Sequence, residues 1–278
     1  MLIDTHAHLN FSAFKNDADE IIDQCFKNDI QLINVGSQYE TSKRAVEIAE
    51  KYKAGVWAAI GLHPIHAIPN QIDVNEVEPS FKSRPEEFDA EKYEALAKSK
   101  KVVAIGEIGL DYTYAKTEED KEVQKKSFRK QLVFAQKLKL PVIVHCRDAF
   151  KDLIEILEEF YGLESKVYSL KSPRGVAHFF SGTKENAKEM IELGFLISFT
   201  GVVTFTRAYD EIIKETPLGK LMVETDCPYV APVPFRGQKN LPLYVKYIAE
   251  RIAEIKGISF SKVAQVTAQN AQALFKLN

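Results

Sequence analysis

Five of the six histidines and two acidic residues of this chain stand at the ends of short apolar runs. They are His6, His8, His63, His145 and His178, together with Glu107 and Asp226. Imidazole nitrogens and carboxylate oxygens are the usual ligands of Zn²⁺, Mn²⁺ and related ions. This number of ligand-type groups is too large for one catalytic ion but suits two ions that share a carboxylate. The pattern therefore predicts a metal-dependent hydrolase.

The segment IDTHAHLN carries the strongest local signal, because residues two apart on a strand point to the same face. His6 and His8 can therefore reach one ion. Glu107 lies in the apolar segment VVAIGEIGLDY, where a carboxylate is costly to bury unless it is paired or metal-bound. A carboxylate can bridge two ions about 3.5–4 Å apart. The alternative for Glu107 is a salt bridge with an arginine or lysine.

His145 and His178 each end an apolar run, and each could instead be an ordinary buried histidine. Their matching positions favour metal binding. Asp226 in ETDCPY could be a turn residue, but an aspartate there can also bind an ion and accept a proton from the attacking water. We therefore expect Glu107 and Asp226 to be catalytic as well as metal-binding.

Eight short apolar runs read as strands buried on both faces, and amphipathic segments separate most of them. The predicted strands are 2–5, 31–35, 56–60, 102–105, 141–144, 175–177, 195–198 and 221–224. The predicted helices are 17–27, 41–51, 118–138, 149–160, 184–193, 242–255 and 259–274. This alternation predicts an α/β fold of the (β/α)₈ TIM-barrel type. A doubly wound open sheet is the alternative, but the dinucleotide fingerprint G-x-G-x-x-G is absent.

Active sites of such barrels lie at the carboxyl ends of the strands, where the candidate ligands stand. Residues from distant parts of the chain would therefore meet at one mouth. We expect residues 1–278 to form a single barrel domain with an insertion at about 65–92 after the third strand. That insertion is either a surface elaboration or a lid over the site. A solvated loop is expected at 162–174.

Four further residues could contact an anionic substrate. Arg147 lies two residues after His145, and a guanidinium there could bind a phosphate or carboxylate through two hydrogen bonds. His63, Arg236 and Lys239 also fall in segments predicted at the mouth. Structural ion pairs would explain each of these residues about as well.

The composition limits the location and the partners of the protein. A formal charge of −2, from 37 basic and 39 acidic residues, means that a polyanionic substrate would need a local cluster of cations. Three cysteines without C-x-x-C spacing, and no signal-peptide pattern, predict a cytoplasmic protein. No apolar run reaches the roughly 18 residues of a membrane span. We therefore expect no membrane partner, and a monomer.

Taken in order, these motifs resemble those of the TatD family of metal-dependent deoxyribonucleases, within the amidohydrolase-like barrels. The similar segments cover essentially the whole chain: IDTHAHLN, GLHP, GEIGLDY, VHCRD, HFFSG, ETDCPY, APVPFRG and TAQNAQALF. The resemblance implies a TIM-type barrel, two divalent metal ions and hydrolysis of DNA phosphodiester bonds, typically from the 3′ end. It implies that the substrate phosphate contacts His63, and that the metal ligands are His6, His8, Glu107, His145, His178 and Asp226.

Two residues depart from the family pattern. Phe235 stands where many members have a histidine, and Phe179 stands where many have a cysteine. Neither is an implied metal ligand, so the departure at Phe235 concerns how the substrate is gripped rather than hydrolysis itself.

Two other functions are compatible with the sequence. A metal-dependent deacylase or amidohydrolase, acting on an ester or amide such as an aminoacyl-tRNA, would use the same two-metal centre. A barrel that only binds or scaffolds is disfavoured because all six ligand positions are filled. The ligand types suit Zn²⁺, Mn²⁺, Ni²⁺, Co²⁺ or Mg²⁺, so the sequence leaves the metal open.

Overall fold

The computed structural model describes residues 1–69, 76, 85–162 and 174–277. Within them, eight parallel strands form one sheet in which each strand pairs with the next along the chain. The strands are β1 (Leu2–Ala7), β2 (Ile30–Val35), β3 (Val56–Ile60), β4 (Val102–Asp111), β5 (Val142–Arg147), β6 (Gly175–Ala177), β7 (Phe195–Phe199) and β8 (Leu221–Val223). The apolar runs predicted as strands therefore all form strands.

The sheet closes on itself between its first and last strands. Ala7 and Cys227 form a parallel bridge, and the His8 N–H donates to the Cys227 carbonyl at 3.1 Å. Beside it, the Asp226 N–H donates to the His6 carbonyl at 2.8 Å. This closure confirms the predicted (β/α)₈ barrel.

Helices of the described residues cover the outside of the barrel. They are α1 (Ala18–Lys27), α2 (Tyr39–Glu50), α3 (Ala90–Leu96), α4 (Glu118–Leu138), α5 (Phe150–Tyr161), α6 (Lys184–Glu192), α7 (Asp210–Glu215), α8 (Val245–Lys256) and α9 (Phe260–Phe275). The sequence patterns missed α3 and α7, because a helix of seven or six residues is too short to show a helical period. The longest helix, α4, begins at a capping box formed by Thr117 and Asp120.

The buried apolar residues form two layers. One layer lies between the strands and the surrounding helices and includes Leu32, Ile60 and Phe128. The other layer includes Ile3 and Trp57 of the strands together with Ala271, Leu274 and Phe275 of α9. The last helix thus packs against the interior layer near the start of β1, which leaves the carboxyl ends of the strands for polar side chains.

β4 differs from its prediction and decides where Glu107 lies. The strand was expected to end at residue 105, before Gly106 and Gly109, but it continues to Asp111. Glu107 therefore lies within the strand rather than after it. Its pairing with β5 is irregular between Ile105 and Ile108, and such an irregularity redirects side chains next to active sites.

Residues 70–75 and 77–84 of the insertion predicted at 65–92 lie outside the described residues, and so does nearly all of the predicted loop at 162–174. In the described part of the insertion, the Glu76 carboxylate lies 2.8 Å from His66 Nε2 and accepts a hydrogen bond from Gln38 at 3.2 Å. No helix in the described ranges has the length and apolar character needed to cross a membrane.

Candidate metal centre

The candidate ligands meet at the carboxyl ends of the strands, around a cavity of about 560 Å³. The lining of this cavity includes the side chains predicted for the site at positions His8, His63, Glu107, His145, Arg147, His178 and Asp226. His6 on β1 is fully buried directly behind them. The structure therefore brings together all six predicted metal ligands.

Glu107 stands at the centre, and its two oxygens face different histidine nitrogens. Its Oε2 atom lies 3.3 Å from His6 Nε2. Its Oε1 atom lies 2.7 Å from His178 Nε2, 2.8 Å from His145 Nδ1 and 3.2 Å from His63 Nε2. Such an arrangement suits a carboxylate that bridges two cations.

The group on the Oε2 side has the dimensions of a metal coordination shell. His8 Nε2 lies 3.1 Å from His6 Nε2 and 3.3 Å from Asp226 Oδ1, and the His6–Asp226 separation is 3.8 Å. Donors about 2.0–2.2 Å from one tetrahedral ion would be separated by about 3.3–3.6 Å. The separations of 3.1, 3.3 and 3.8 Å lie close to this range, so small shifts would let these side chains surround one divalent ion.

The backbone fixes the ring tautomer of His8. Its Nδ1 atom lies 2.8 Å from the Val35 carbonyl oxygen, which can only accept a hydrogen bond. The ring proton of neutral His8 must therefore be on Nδ1, so the lone pair of Nε2 points at Asp226 and His6. A partner on the far ring nitrogen is the usual way in which a protein orients a metal-binding histidine.

His63 has the opposite tautomer, although it faces the same carboxylate. The Ile65 N–H donates to His63 Nδ1 at 3.2 Å, so the proton of the neutral ring is on Nε2. That Nε2–H points at Glu107 Oε1 and can donate a hydrogen bond but cannot bind an ion. His63, Glu107 and His145 are close enough to hold a cation together, but this tautomer excludes His63 as a ligand.

The pKa values of Glu107 and His178 indicate that a positive charge is stabilised between the buried carboxylates and the histidine rings. Burial acts to raise the pKa of Glu107, but His178, His63 and His6 hold it well below its usual value. Burial acts to lower the pKa of His178, yet Glu107 and Glu224 raise it well above the usual value. A proton or a divalent ion must therefore separate these nitrogens from the carboxylates that face them.

The predicted substrate contacts divide into two pairs. His63 and Arg147 line the cavity, and the exposed Arg147 guanidinium has no partner among the described side chains. The Arg236 guanidinium instead lies 3.9 Å over the ring of Phe205, and Lys239 pairs with Asp17 at 2.7 Å. Neither Arg236 nor Lys239 belongs to the described cavity wall.

Sequence reasoning gave no role to Asp111, which the structure places in direct contact with the site. Its Oδ2 atom accepts a hydrogen bond from His145 Nε2 at 3.0 Å. A signal was present, because Asp111 follows Glu107 by four residues and such residues share one face of a strand. Aromatic side chains of Phe11, Tyr114 and Tyr229 also line the cavity, but they come from loops without a readable period.

Comparison with known proteins identifies the family of the chain. A family model described as TatD related DNase matches residues 3–276. The uncharacterized metal-dependent hydrolase YabD of Bacillus subtilis is 40% identical over all of both chains. Deoxyribonuclease TATDN3 of Homo sapiens is 29% identical, with 99% of this chain and 94% of the relative aligned.

Solved structures of TatD proteins have the same fold as this chain. The structure of YJJV, a TatD homologue from Escherichia coli, superposes with a TM-score of 0.81 at 28% identity and covers 100% of this chain and 98% of its own. A hydrolase of the TatD family from Entamoeba histolytica superposes with a TM-score of 0.80 at 25% identity, covering 99% and 97%. The chain therefore belongs to the TatD family of metal-dependent hydrolases.

Proposed function

We propose that the protein hydrolyses phosphodiester bonds at the 3′ ends of DNA strands and uses two divalent ions to do so. The observation that carries the proposal is the position of Glu107, whose Oε2 atom faces His6 and whose Oε1 atom faces His145 and His178. One ion would be held by His6, His8 and Asp226, and the other by His145 and His178, with Glu107 common to both. Bound there, such ions would polarise the phosphate and lower the pKa of water from 15.7 to about 7.

Asp226 is suited to take the proton of the attacking water. Burial acts to raise its pKa, but the hydrogen bond with His8 and the charges of His6 and His178 lower it. Asp226 is therefore a carboxylate at neutral pH. Its Oδ1 atom faces His8, so Oδ2 is the atom that can accept the proton.

Two groups at the cavity suit a phosphate. His63 presents its Nε2–H towards the centre, and Arg147 offers a guanidinium that can form two parallel hydrogen bonds with phosphate oxygens. A cavity of about 560 Å³ is in the size range of pockets that enclose one small ligand. This size favours the free end of a single strand over a duplex. For Arg236, substrate contact stays a prediction from the sequence.

DNA is proposed as the substrate because the matching family is described as TatD related DNase and a human relative bears the name deoxyribonuclease. The test is release of nucleotides from single-stranded DNA labelled at its 3′ end. Chelator-treated protein should release none, and Mg²⁺, Mn²⁺ or Zn²⁺ should restore release of mononucleotides from the labelled end.

Variants at the site sharpen this test. Asp226→Ala should lower turnover by about 10²–10⁴-fold, the usual contribution of a positioned acid or base. Glu107→Ala should abolish turnover, because it removes the carboxylate common to both ions. Asp148→Asn is the matched control, since Asp148 lines the same cavity but bonds to Thr113 at 2.6 Å. Retention of more than about a tenth of the activity by Asp226→Ala would contradict its role. Absence of release by protein that holds two ions, with hydrolysis of an aminoacyl ester instead, would favour the deacylase.

A further inference from the structure

We infer that Asp111 and Glu224 are positioning residues that select the ring tautomers of His145 and His178, so that each ring directs a lone pair at the metal centre. The inference rests on the proposed two-ion site. It assigns roles to two buried carboxylates that contact the far ring nitrogens of these histidines.

The two histidines use opposite ring nitrogens towards Glu107. His145 faces its Oε1 atom with Nδ1 at 2.8 Å, whereas His178 faces it with Nε2 at 2.7 Å. An imidazole can bind an ion only through the nitrogen that carries no proton. The two rings must therefore be held in opposite tautomers if both are to bind.

A carboxylate stands behind each ring at the other nitrogen. Asp111 Oδ2 lies 3.0 Å from His145 Nε2, and Glu224 Oε1 lies 3.2 Å from His178 Nδ1. Both acids are almost fully buried, at 2% and 0% exposure. Because an ionised carboxylate only accepts hydrogen bonds, each fixes the ring proton on the side away from the centre.

Replacement of each acid by its amide should have opposite consequences. Asp111 Oδ1 also accepts the N–H groups of Thr113 and Tyr114, at 3.0 and 3.3 Å. In Asp111→Asn the amide oxygen must keep these two donors, so the amide NH₂ faces His145 Nε2. Nε2 then has to accept, and the ring proton moves to Nδ1, the nitrogen that should bind the ion.

Glu224 differs because one oxygen serves both of its main partners. Its Oε1 atom accepts from the Phe179 N–H at 2.6 Å and from His178. Among the described residues, its Oε2 atom accepts a hydrogen bond from the Thr5 hydroxyl alone, at 3.5 Å. In Glu224→Gln the amide oxygen can stay at the Oε1 position, and the NH₂ can donate to Thr5. The His178 tautomer is therefore preserved, although the same negative charge is lost.

The experiment measures zinc binding by competition with a chelator for the wild-type protein, Asp111→Asn and Glu224→Gln. Asp111→Asn should weaken binding of one of two ions by about 10- to 100-fold, the usual effect of removing a partner behind a metal-binding histidine. Glu224→Gln should weaken it by less than about tenfold. Equal losses in the two variants would show that charge rather than tautomer matters and would overturn the inference, as would wild-type affinity in Asp111→Asn.

A spectroscopic measurement on the wild-type protein needs no variant to fold. In zinc-loaded protein labelled with ¹⁵N-histidine, His145 should carry its proton on Nε2 and His178 on Nδ1. The reverse pattern at either ring would overturn the inference while two bound ions left the proposed function intact. Failure of the wild-type protein to bind zinc at all would remove the proposed site and the inference together.

Discussion

Two histidines that look alike in the sequence, His63 and His145, face the same oxygen of Glu107 with opposite ring chemistry. His63 receives the Ile65 N–H on its far nitrogen, whereas His145 donates from its far nitrogen to Asp111. The first ring is therefore a hydrogen-bond donor towards the centre, and the second is a potential ligand. A difference of one proton position thus distinguishes the proposed substrate contact from the proposed metal ligand.

Replacement of these histidines should separate metal content from substrate binding. His63→Ala should keep two ions per chain but lower kcat/KM by about 10- to 100-fold, because a hydrogen bond to a charged group contributes about 1.5–3 kcal/mol. His145→Ala should lose one ion. The measurement is metal content after dialysis, together with steady-state kinetics on single-stranded DNA. Loss of an ion from His63→Ala would show that His63 is a ligand.

Residue types and their positions at the ends of apolar runs were enough to predict that the six imidazole and carboxylate groups gather at the mouth. They were not enough for Arg236 and Lys239, which contact Phe205 and Asp17 instead of lining the cavity. The roles of Asp111 and of the Ile65 N–H could not be predicted. They depend on which ring nitrogen faces which partner within about 3 Å, and a sequence holds no information on ring orientation.

At the scale of elements, β4 and β5 determine where the central carboxylate lies. Gly109 permits their contact, since a Cβ atom there would lie 1.9 Å from the carbonyl oxygen of His145. The backbone of Gly109 also has φ of +145°, which residues with side chains rarely adopt. The sequence predicted both strands but ended β4 at this glycine pair, because glycines in a strand pattern usually mark its end or a bulge.

Gly109→Ala should therefore destabilise the protein by about 3 kcal/mol or more, through overpacking against backbone combined with a strained φ. The matched control is Gly219→Ala, because nothing lies within 4 Å of the position a Cβ atom would take. That control should change the free energy of unfolding by less than about 1 kcal/mol. Urea unfolding of the chelator-treated proteins provides the measurement. Similar unfolding midpoints for the two variants would mean that β4 tolerates a side chain here.

The contact between His66 and Glu76 lies within the described part of the insertion, and Glu76 also accepts a hydrogen bond from Gln38 at the start of α2. Burial opposes both charges, yet the hydrogen bond and the attraction between the two groups raise the pKa of His66 and lower that of Glu76. The histidine contributes stability below its unfolded pKa of 6.5 and loses it as pH rises through the folded value. The glutamate contributes above its unfolded pKa of 4.5 and loses it as pH falls through the folded value.

The difference in unfolding free energy between wild type and Glu76→Gln should therefore be largest between about pH 4.5 and 6.5, at about 1–3 kcal/mol. It should shrink on both sides of this window. Glu87→Gln is the control, since Glu87 pairs with Lys130 rather than with a histidine and this ion pair is exposed. A difference for Glu76→Gln that stays constant from pH 5 to pH 9 would show that the ion pair does not contribute.

At the scale of the whole molecule, the metal centre lies on the seam that closes the barrel. β1 and β8 meet through one isolated bridge and a few backbone hydrogen bonds, and their ends carry His6, His8 and Asp226. An ion held by these three side chains would join the first strand to the last, about 220 residues apart in the 278-residue chain. The barrel itself was predictable, since alternating apolar runs and amphipathic segments decide it. The small number of hydrogen bonds between β1 and β8 could not be predicted, because strand pairing depends on how the sheet closes.

Divalent ions should therefore raise the melting temperature of the chelator-treated protein. Ligand at one hundred times its Kd stabilises by about 2.7 kcal/mol per site. At this chain length each kcal/mol corresponds to about 2–4 °C, so one site should raise Tm by about 5–10 °C. In His8→Asn, the part of this rise in Tm that comes from the ion held by His6, His8 and Asp226 should be lost. His66→Asn should keep the full rise in Tm, because His66 is not among the proposed metal ligands. The measurement is the melting temperature of each protein with and without Zn²⁺. If Zn²⁺ raised the Tm of His8→Asn as much as that of the wild type, the stabilising ion would lie away from the seam.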